Sequence, residues 1–357
     1  MKSSAGHPRT RTSVFITGLI CMIVCTGSGC FLKPDSRKKQ SDQAAEKRVT
    51  IGFSIDTFII ERWRRDCDIF RDTARALGAD VIVQNAGNDQ EAQCSQIQYL
   101  IDRGVDVLVI VPKNADALTA VVQRARSKGI PVVSYDRLIR NADVSLYLTI
   151  DSRQVGFLMA EALLRLRPKG AFYCIYGAEE DYNMALIDTG VRDALDGRPV
   201  SVQFKYYTTD WNYDLSYRKM SELLELNLIP DAVICGNDAV AESVLKALSE
   251  HRLGTTVPVV GQDADIAACQ RIAAGTQAAT VYKPITELAQ KAATYAYLLA
   301  SGVPAAELDG VTESIDNGAK RVPAVFLAPV LVTSGNIDDV IVDSGFHSRE
   351  DVYRNGK

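Results

Sequence analysis

From Val49 onward the chain alternates between short runs of apolar residues and amphipathic segments of helical period, many of which close on glycine. This alternation is the strongest constraint on the fold. Short strands that are apolar on both faces belong to a parallel sheet covered by helices on each side. In the first unit, Val49–Ile55 reads as a strand. Trp63, Cys67, Phe70, Ala74 and Leu77 then share one helical face, and Gly78 supplies the left-handed residue that ends a helix. The order repeats as strand Val81–Gln84, helix Asp89–Asp102, strand Val105–Val111, helix Asn114–Lys128 and strand Pro131–Tyr135. It restarts with helix Arg153–Leu166. Strands Ala171–Tyr176, Val200–Tyr206, Ala232–Cys235, Val257–Val260 and Ala279–Tyr282 follow, each with its helix: Tyr182–Leu195, Tyr213–Leu226, Ala239–Glu250, Ala264–Ala273 and Ile285–Ala300.

So many strands exceed one compact sheet of this kind, and 357 residues is a two-domain length. The expected fold is α/β, with two doubly wound parallel-sheet lobes joined by a multi-strand hinge. The N-terminal lobe is expected from 48–152 plus about 284–312, and the C-terminal lobe from 153–283 plus part of 313–357. The tail holds two short apolar runs, Val322–Leu327 and Val330–Val332, expected to cross the hinge again.

The first 29 residues read as a targeting segment. Lys2, Arg9 and Arg11 form a charged start, Val14–Val24 is apolar but short for a membrane span, and Thr26-Gly27-Ser28-Gly29-Cys30 resembles a bacterial lipobox. The expectation is a signal peptide over 1–29, lipidation at Cys30, and a polar tether over 30–47 that holds the body off an extracytoplasmic membrane. Two or more acyl chains make such an anchor stable. The alternative is an ordinary signal peptide cut near Gly29.

Several function classes are disfavoured. Net charge is −4, and removing the basic leader makes the chain more acidic, which argues against nucleic acid as a partner. No phosphate-cradling glycine loop, nucleophile elbow or zinc-protease motif occurs. Beyond the leader the histidines are His251 and His347, neither at the C-terminal end of a strand. The five cysteines after Cys30 are widely spaced without a CxxC, so buried free thiols are expected; a Cys174–Cys235 bridge stays open. No enzyme activity, metal or cofactor is indicated.

What the chain does carry is polar and aromatic chemistry at the C-terminal ends of strands, where open α/β sheets bind ligands. These positions hold Arg62 and Trp63, Asp136 and Arg137, Asp181 and Asn183, Trp211, Asn237 and Asp238, Gln262, Asp263 and Asp265, and Lys283. The set suits a sugar. Planar Arg, Asp and Asn groups can each take part in paired bonds to hydroxyls that both donate and accept, and an indole can lie on a C–H face. Structural alternatives exist. Trp63 also fits the core stripe of its helix, Asp136–Arg137 could be a local ion pair, and Asn237 and Asp265 stand where helix caps stand. Arg64 and Arg65 fit a solvated helix face.

These residues carry a resemblance. ERWRRDCDIF, RGVDVLVIVP, YDR at Tyr135–Arg137, NDA at Asn237–Ala239, GQDAD at Gly261–Asp265, RIAAGTQAATVYKPIT at Arg271–Thr286 and DSGFH near the end are similar to the bacterial type I periplasmic sugar-binding proteins, above all their xylose-binding branch in ABC importers. The resemblance spans Val49–His347. It implies a monosaccharide ligand, D-xylose or a related aldose, and an ABC permease as partner, with no cofactor. The protein itself is expected to be a monomer. It also implies sugar contacts at Arg62, Arg137, Asp181, Asn183, Trp211, Asn237, Asp263 and Lys283, with Trp63 added by the crevice reading. The loop GAEEDYNMAL departs from the pattern, with Tyr182 where xylose binders tend to have a second asparagine, so glucose, galactose and arabinose stay open. A sensor that presents its closed form to a chemoreceptor or histidine kinase is the alternative role.

Overall fold

A computed structural model describes residues 48–354. The leader, Cys30 and the tether lie outside the described residues. No helix among the described residues is long and apolar enough to cross a membrane.

The chain runs β1 (Thr50–Ile55), α1 (Arg62–Ala76), β2 (Asp80–Asn85), α2 (Gln90–Asp102), β3 (Val107–Ile110), α3 (Thr119–Ser127), β4 (Val132–Tyr135) and β5 (Leu146–Ile150). It continues as α4 (Ser152–Leu166), β6 (Gly170–Tyr176), α5 (Tyr182–Leu195), β7 (Val200–Tyr207), α6 (Tyr213–Glu225), β8 (Ala232–Cys235), α7 (Asp238–Glu250), β9 (Val259–Gln262), α8 (Ile266–Ala273) and β10 (Ala279–Tyr282). Last come α9 (Ile285–Ala300), β11 (Glu313–Asp316), β12 (Arg321–Leu327), β13 (Val330–Val332) and α10 (Arg349–Val352).

Two sheets result, ordered β11-β12-β5-β4-β3-β1-β2 and β13-β10-β9-β8-β6-β7. All neighbours are parallel except β11 with β12 and β10 with β13. The chain passes between the sheets at Asp151, at Lys283–Pro284 and at Ala328–Pro329. Helix α9 returns to pack on α1, whereas α4 packs on α5 and the second sheet. Two lobes with three connecting strands follow from that path.

Local chemistry sets the elements. The central strands are buried throughout, β3 and β4 at every position. Asp89, Asp151, Asp181, Asn212 and Asn237 each cap a following helix with a side-chain oxygen on a backbone N–H. Since these caps stand where strand turns to helix, the rule that starts a helix also lines the strand ends with polar groups. In the second lobe α4 and α5 meet backbone to backbone. A Cβ on Gly190 would lie 1.8 Å from the Arg153 carbonyl oxygen, and one on Gly156 2.0 Å from that of Ile187.

The structure differs from the sequence reading at several places, three of them with a clear local cause. β5 is a strand that the alternation does not anticipate, because the loop from Asp136 to Ser145 joins it to β4 with no helix between. β11 is short, exposed at three of four positions and antiparallel, so it carries no apolar signal. Helix α3 starts at Thr119, not Asn114; the side chain of Asn114 instead bonds the Asp116 N–H at 2.9 Å, closing a turn. The cysteines that follow the tether are free. Cys174 pairs with Ile234 and Cys235 with Ile175, so the two thiols are one register step apart and project to opposite faces of the sheet.

Candidate functional site

Arg62 opens α1 with its guanidinium buried against two carboxylates. It bonds Asp66, one helical turn on, through Nη2 at 3.1 Å and Nε at 3.3 Å, and reaches Asp136 through Nη2 at 2.9 Å. The Tyr135 hydroxyl donates to the same Asp66 oxygen, Oδ1, that Arg62 Nη2 meets. Arg137 forms a second knot. Its Nη1 meets Asp56 at 2.5 Å and the Pro112 carbonyl at 3.2 Å, and its Nε lies 2.7 Å from Asp181 in the other lobe. The third pair, Lys283 with Asp263 at 2.6 Å, joins the second connecting strand to the loop after β9.

These groups converge because β4 and β9 end on left-handed residues. Asp136 has φ 62°, its N–H donates to Leu148 O at 2.7 Å, and its carbonyl accepts from Thr149 Oγ1 at 2.6 Å. Asp263 has φ 99°, with its N–H on Val281 O at 2.9 Å. Such backbone persists only where surroundings hold it, and here it turns both carboxylates into the cleft. Asn183 then spans the lobes, donating from Nδ2 to Asp136 Oδ1 at 2.9 Å.

Together they line a small cavity between the lobes, made by Ile60, Arg62, Trp63, Asp136 and Arg137 from the first and Asp181, Asn183, Met184, Trp211, Gln262, Asp263 and Lys283 from the second. A larger open groove on the second lobe, bordered by Leu245, Lys246 and Arg252, has no such convergence of buried polar groups.

Of the ten buried side-chain polar atoms without a hydrogen-bond partner among the described residues, six belong to this lining: Arg62 Nη1, Trp63 Nε1, Arg137 Nε, Asn183 Oδ1, Trp211 Nε1 and Asp263 Oδ1. The close approaches of Arg137 Nε to Asp181 and of Asp263 Oδ1 to Lys283 are ion pairs set off the hydrogen-bond axis. Buried polar groups are nearly always paired. The four with no ion pair either, three donors (Arg62 Nη1 and the two indole N–H groups) and one acceptor (Asn183 Oδ1), therefore describe a partner that both donates and accepts.

The charges are held in place by opposition. Burial alone would raise Asp136, but Arg62, Lys283 and Arg137 more than offset it and bring its carboxyl below the usual range. Burial raises Asp56 and Asp66 in spite of Arg137 and Arg62. Asp181 is pushed up to about 6 by burial, with Arg137 opposing and Asp136 and Asp56 adding to the rise. This pKa lies above the ordinary 3.8, so the folded chain holds that proton more tightly than the unfolded chain. The stability it contributes is full below 3.8 and is lost as pH rises through about 6. Unfolding free energies of the parent and Asp181→Asn, measured at steps across that window, cancel the other carboxylates. The parent is expected to lose stability relative to the variant with rising pH; parallel curves would contradict the assignment.

Eight of the nine ligand residues expected from sequence stand in the lining: Arg62, Trp63, Arg137, Asp181, Asn183, Trp211, Asp263 and Lys283. Asn237 does not. It caps α7 through Val240 N at 2.9 Å and reaches the Tyr213 hydroxyl at 3.4 Å. The two tryptophans differ. The Arg62 and Arg137 guanidiniums lie 4.3 and 5.5 Å from the centre of the Trp63 ring, so this indole is a platform for arginines as well as core. Trp211 sits on Gly177, and none of the cation–ring contacts among the described residues involves it. Asp136 pairs with Arg62 rather than Arg137, and it joins the lining with Gln262, Met184 and Ile60. Its signal was its place at a strand end; Met184 and Ile60 carried none. Asp265 makes no side-chain cap bond to α8. Tyr182 turns away to the outer rim, 5.1 Å below the Arg140 guanidinium, so the departure in its loop does not touch the cavity.

Comparison with known proteins follows the same line. Residues 51–304 match the periplasmic binding protein domain. A D-xylose-binding periplasmic protein of Haemophilus influenzae is 39% identical over 318 residues, which is 88% of this chain and 95% of that protein. One from Escherichia coli is 40% identical over 315 residues, 87% and 94% of the two chains. Among solved structures, an ABC transporter solute-binding protein from Clostridium phytofermentans with bound β-D-glucose superposes with a TM-score of 0.76 at 29% identity, covering 85% of this chain and 99% of its own.

Proposed function

The chain belongs to the periplasmic binding protein domain family, and from that premise we propose that it captures one monosaccharide, D-xylose before other aldoses, between its lobes and delivers it to an ABC permease. The observation that carries this reading is the ring of unpaired buried donors and acceptors around one small cavity. The Arg62 and indole N–H groups can donate to sugar oxygens, and the Asn183 oxygen can accept from a sugar hydroxyl. Names of relatives support xylose: the Haemophilus influenzae and Escherichia coli proteins both bind it.

Residues from both lobes touch the same space, so a ligand there favours the closed arrangement over an open one. The relatives are solute-binding proteins, not enzymes. Calorimetric titration of the purified chain with D-xylose, D-glucose, D-galactose and L-arabinose tests the reading. D-xylose is expected to bind tightest, at one site. No heat with any of the four would sink the sugar assignment, and a hexose binding tighter would move it to that hexose. An extracytoplasmic location with a lipid on Cys30 belongs to the same proposal. A Cys30→Ser chain that stays in the membrane fraction would count against that anchor.

A further inference from the structure

Outside the cavity, one contact set joins the lobes where they are farthest from the connecting strands. In the first sheet β2 is the edge opposite β12 and β5, and in the second β7 is the edge opposite β13 and β10. The connecting strands run from β5, β10 and β12, so opening about them moves the β2 and β7 edges most. At that far edge Asp210, just after β7, meets the first lobe twice. Its carboxylate takes Lys113 Nζ at 2.8 Å, and its carbonyl accepts from Asn88 Nδ2 at 3.0 Å.

Both halves are wired to the cavity. Asn88, after β2, has φ 68° and donates its N–H to Asp56 O at 2.8 Å; the Asp56 carboxylate holds Arg137. Lys113 follows Pro112, whose carbonyl also takes Arg137, and its own N–H is fixed on Gln93 Oε1 at 2.9 Å. On the other side Asp210 and Trp211 are consecutive left-handed residues, at φ 54° and 57°. Aspartate tolerates that backbone, whereas tryptophan does so only where it is held. The turn is pinned by Trp211 N on Thr208 O at 3.1 Å, and it sends Trp211 into the cavity and Asp210 across the gap.

We propose that Asn88, Lys113 and Asp210 form a clasp that holds the lobes shut, positioning residues that set how long the ligand stays without touching it. The proposal rests on the sugar-trap reading for its ligand, though not for its closure.

The test measures D-xylose affinity and release, and small-angle scattering without sugar, for Lys113→Met, Asp210→Asn and Asn88→Gly, the glycine keeping the left-handed backbone. Each is expected to weaken binding about two- to five-fold, and Asn88→Gly with Lys113→Met about ten-fold, mainly through faster release. Because Asp210 is half exposed, parent affinity should also fall between about 0.02 and 0.5 M salt, and Lys113→Met should flatten that slope. A combined variant within about two-fold of the parent, or an unchanged salt slope, overturns the clasp. If the parent binds no sugar, the sugar reading fails, and scattering still decides the clasp. A larger radius for Lys113→Met than for the parent supports it, and equal radii overturn it.

Discussion

Replacing Arg137 by alanine is expected to reduce monosaccharide affinity by at least two orders of magnitude and to lower stability as well. Its guanidinium is 2% exposed and lies between Asp56 of its own lobe and Asp181 of the other, with a third bond to the Pro112 carbonyl. Alanine would leave two carboxylates buried without a counter-charge. Breaking one side of a buried pair costs about 3–5 kcal/mol, more than an exposed pair ever contributes. Part of that cost falls on the closed state, because only there does Arg137 meet Asp181. Part falls on the first lobe, where Asp56 is held in any state. Arg137→Lys separates charge from geometry: it keeps the charge but lacks the planar fork, so it should recover stability more than affinity. Titration with D-xylose and urea unfolding of both variants read the two terms. Alanine within ten-fold of the parent would mean the cleft is misassigned.

A methyl group on Gly177 should be nearly as damaging to binding, from a position that offers no polar group at all. A Cβ there would fall 2.1, 2.2 and 2.4 Å from three atoms of the Trp211 six-membered ring. The ring cannot yield easily, since its own backbone is left-handed and tied to Thr208, which is buried and bonded to Ser216. Gly177→Ala must therefore push the indole into the sugar space or unseat the turn that carries it. Overpacking costs about 1–3 kcal/mol, and a displaced stacking surface adds to the loss of affinity. The expected result is a drop in affinity of roughly 50-fold or more, with Trp211 fluorescence shifted and the unfolding midpoint lowered only modestly. Normal affinity would show that Trp211 does not face the ligand.

The two cases differ in how far they could be read beforehand. Arg137 stands at the end of an apolar strand, a place where open α/β sheets put ligand groups, so position and residue type together named it. Arg62, Asp181, Asn183, Asp263 and Lys283 were legible for the same reason, and all six come together in the cavity. Gly177 was not, because a glycine records only that something approaches closely, not what. Asn237 is the opposite case. A strand-end asparagine can cap a helix, meet a ligand or do both; here its Oδ1 caps α7 on Val240 N while its Nδ2 reaches the Tyr213 hydroxyl at 3.4 Å. Trp63 also satisfied two readings at once, and it serves both, as core and as the surface under two guanidiniums.

Within the described residues, the sequence by itself determined the alternating α/β plan, the strand-end polar set and the absence of any zinc or thioredoxin cysteine motif, because these depend on period, residue type and spacing along the chain. Tertiary structure decided the pairing. That Asp136 answers Arg62 and not its neighbour Arg137, that Asp181 reaches Arg137 from the other lobe and that Asp210 meets Lys113 are contacts between groups far apart in sequence or turned by one φ angle, and that Cys174 and Cys235 face apart follows from the register of β6 on β8. Side-chain direction at a strand end depends on a single backbone torsion, and no residue type specifies that torsion alone. The unpaired ring around the cavity becomes visible only once every bond among those groups has been assigned.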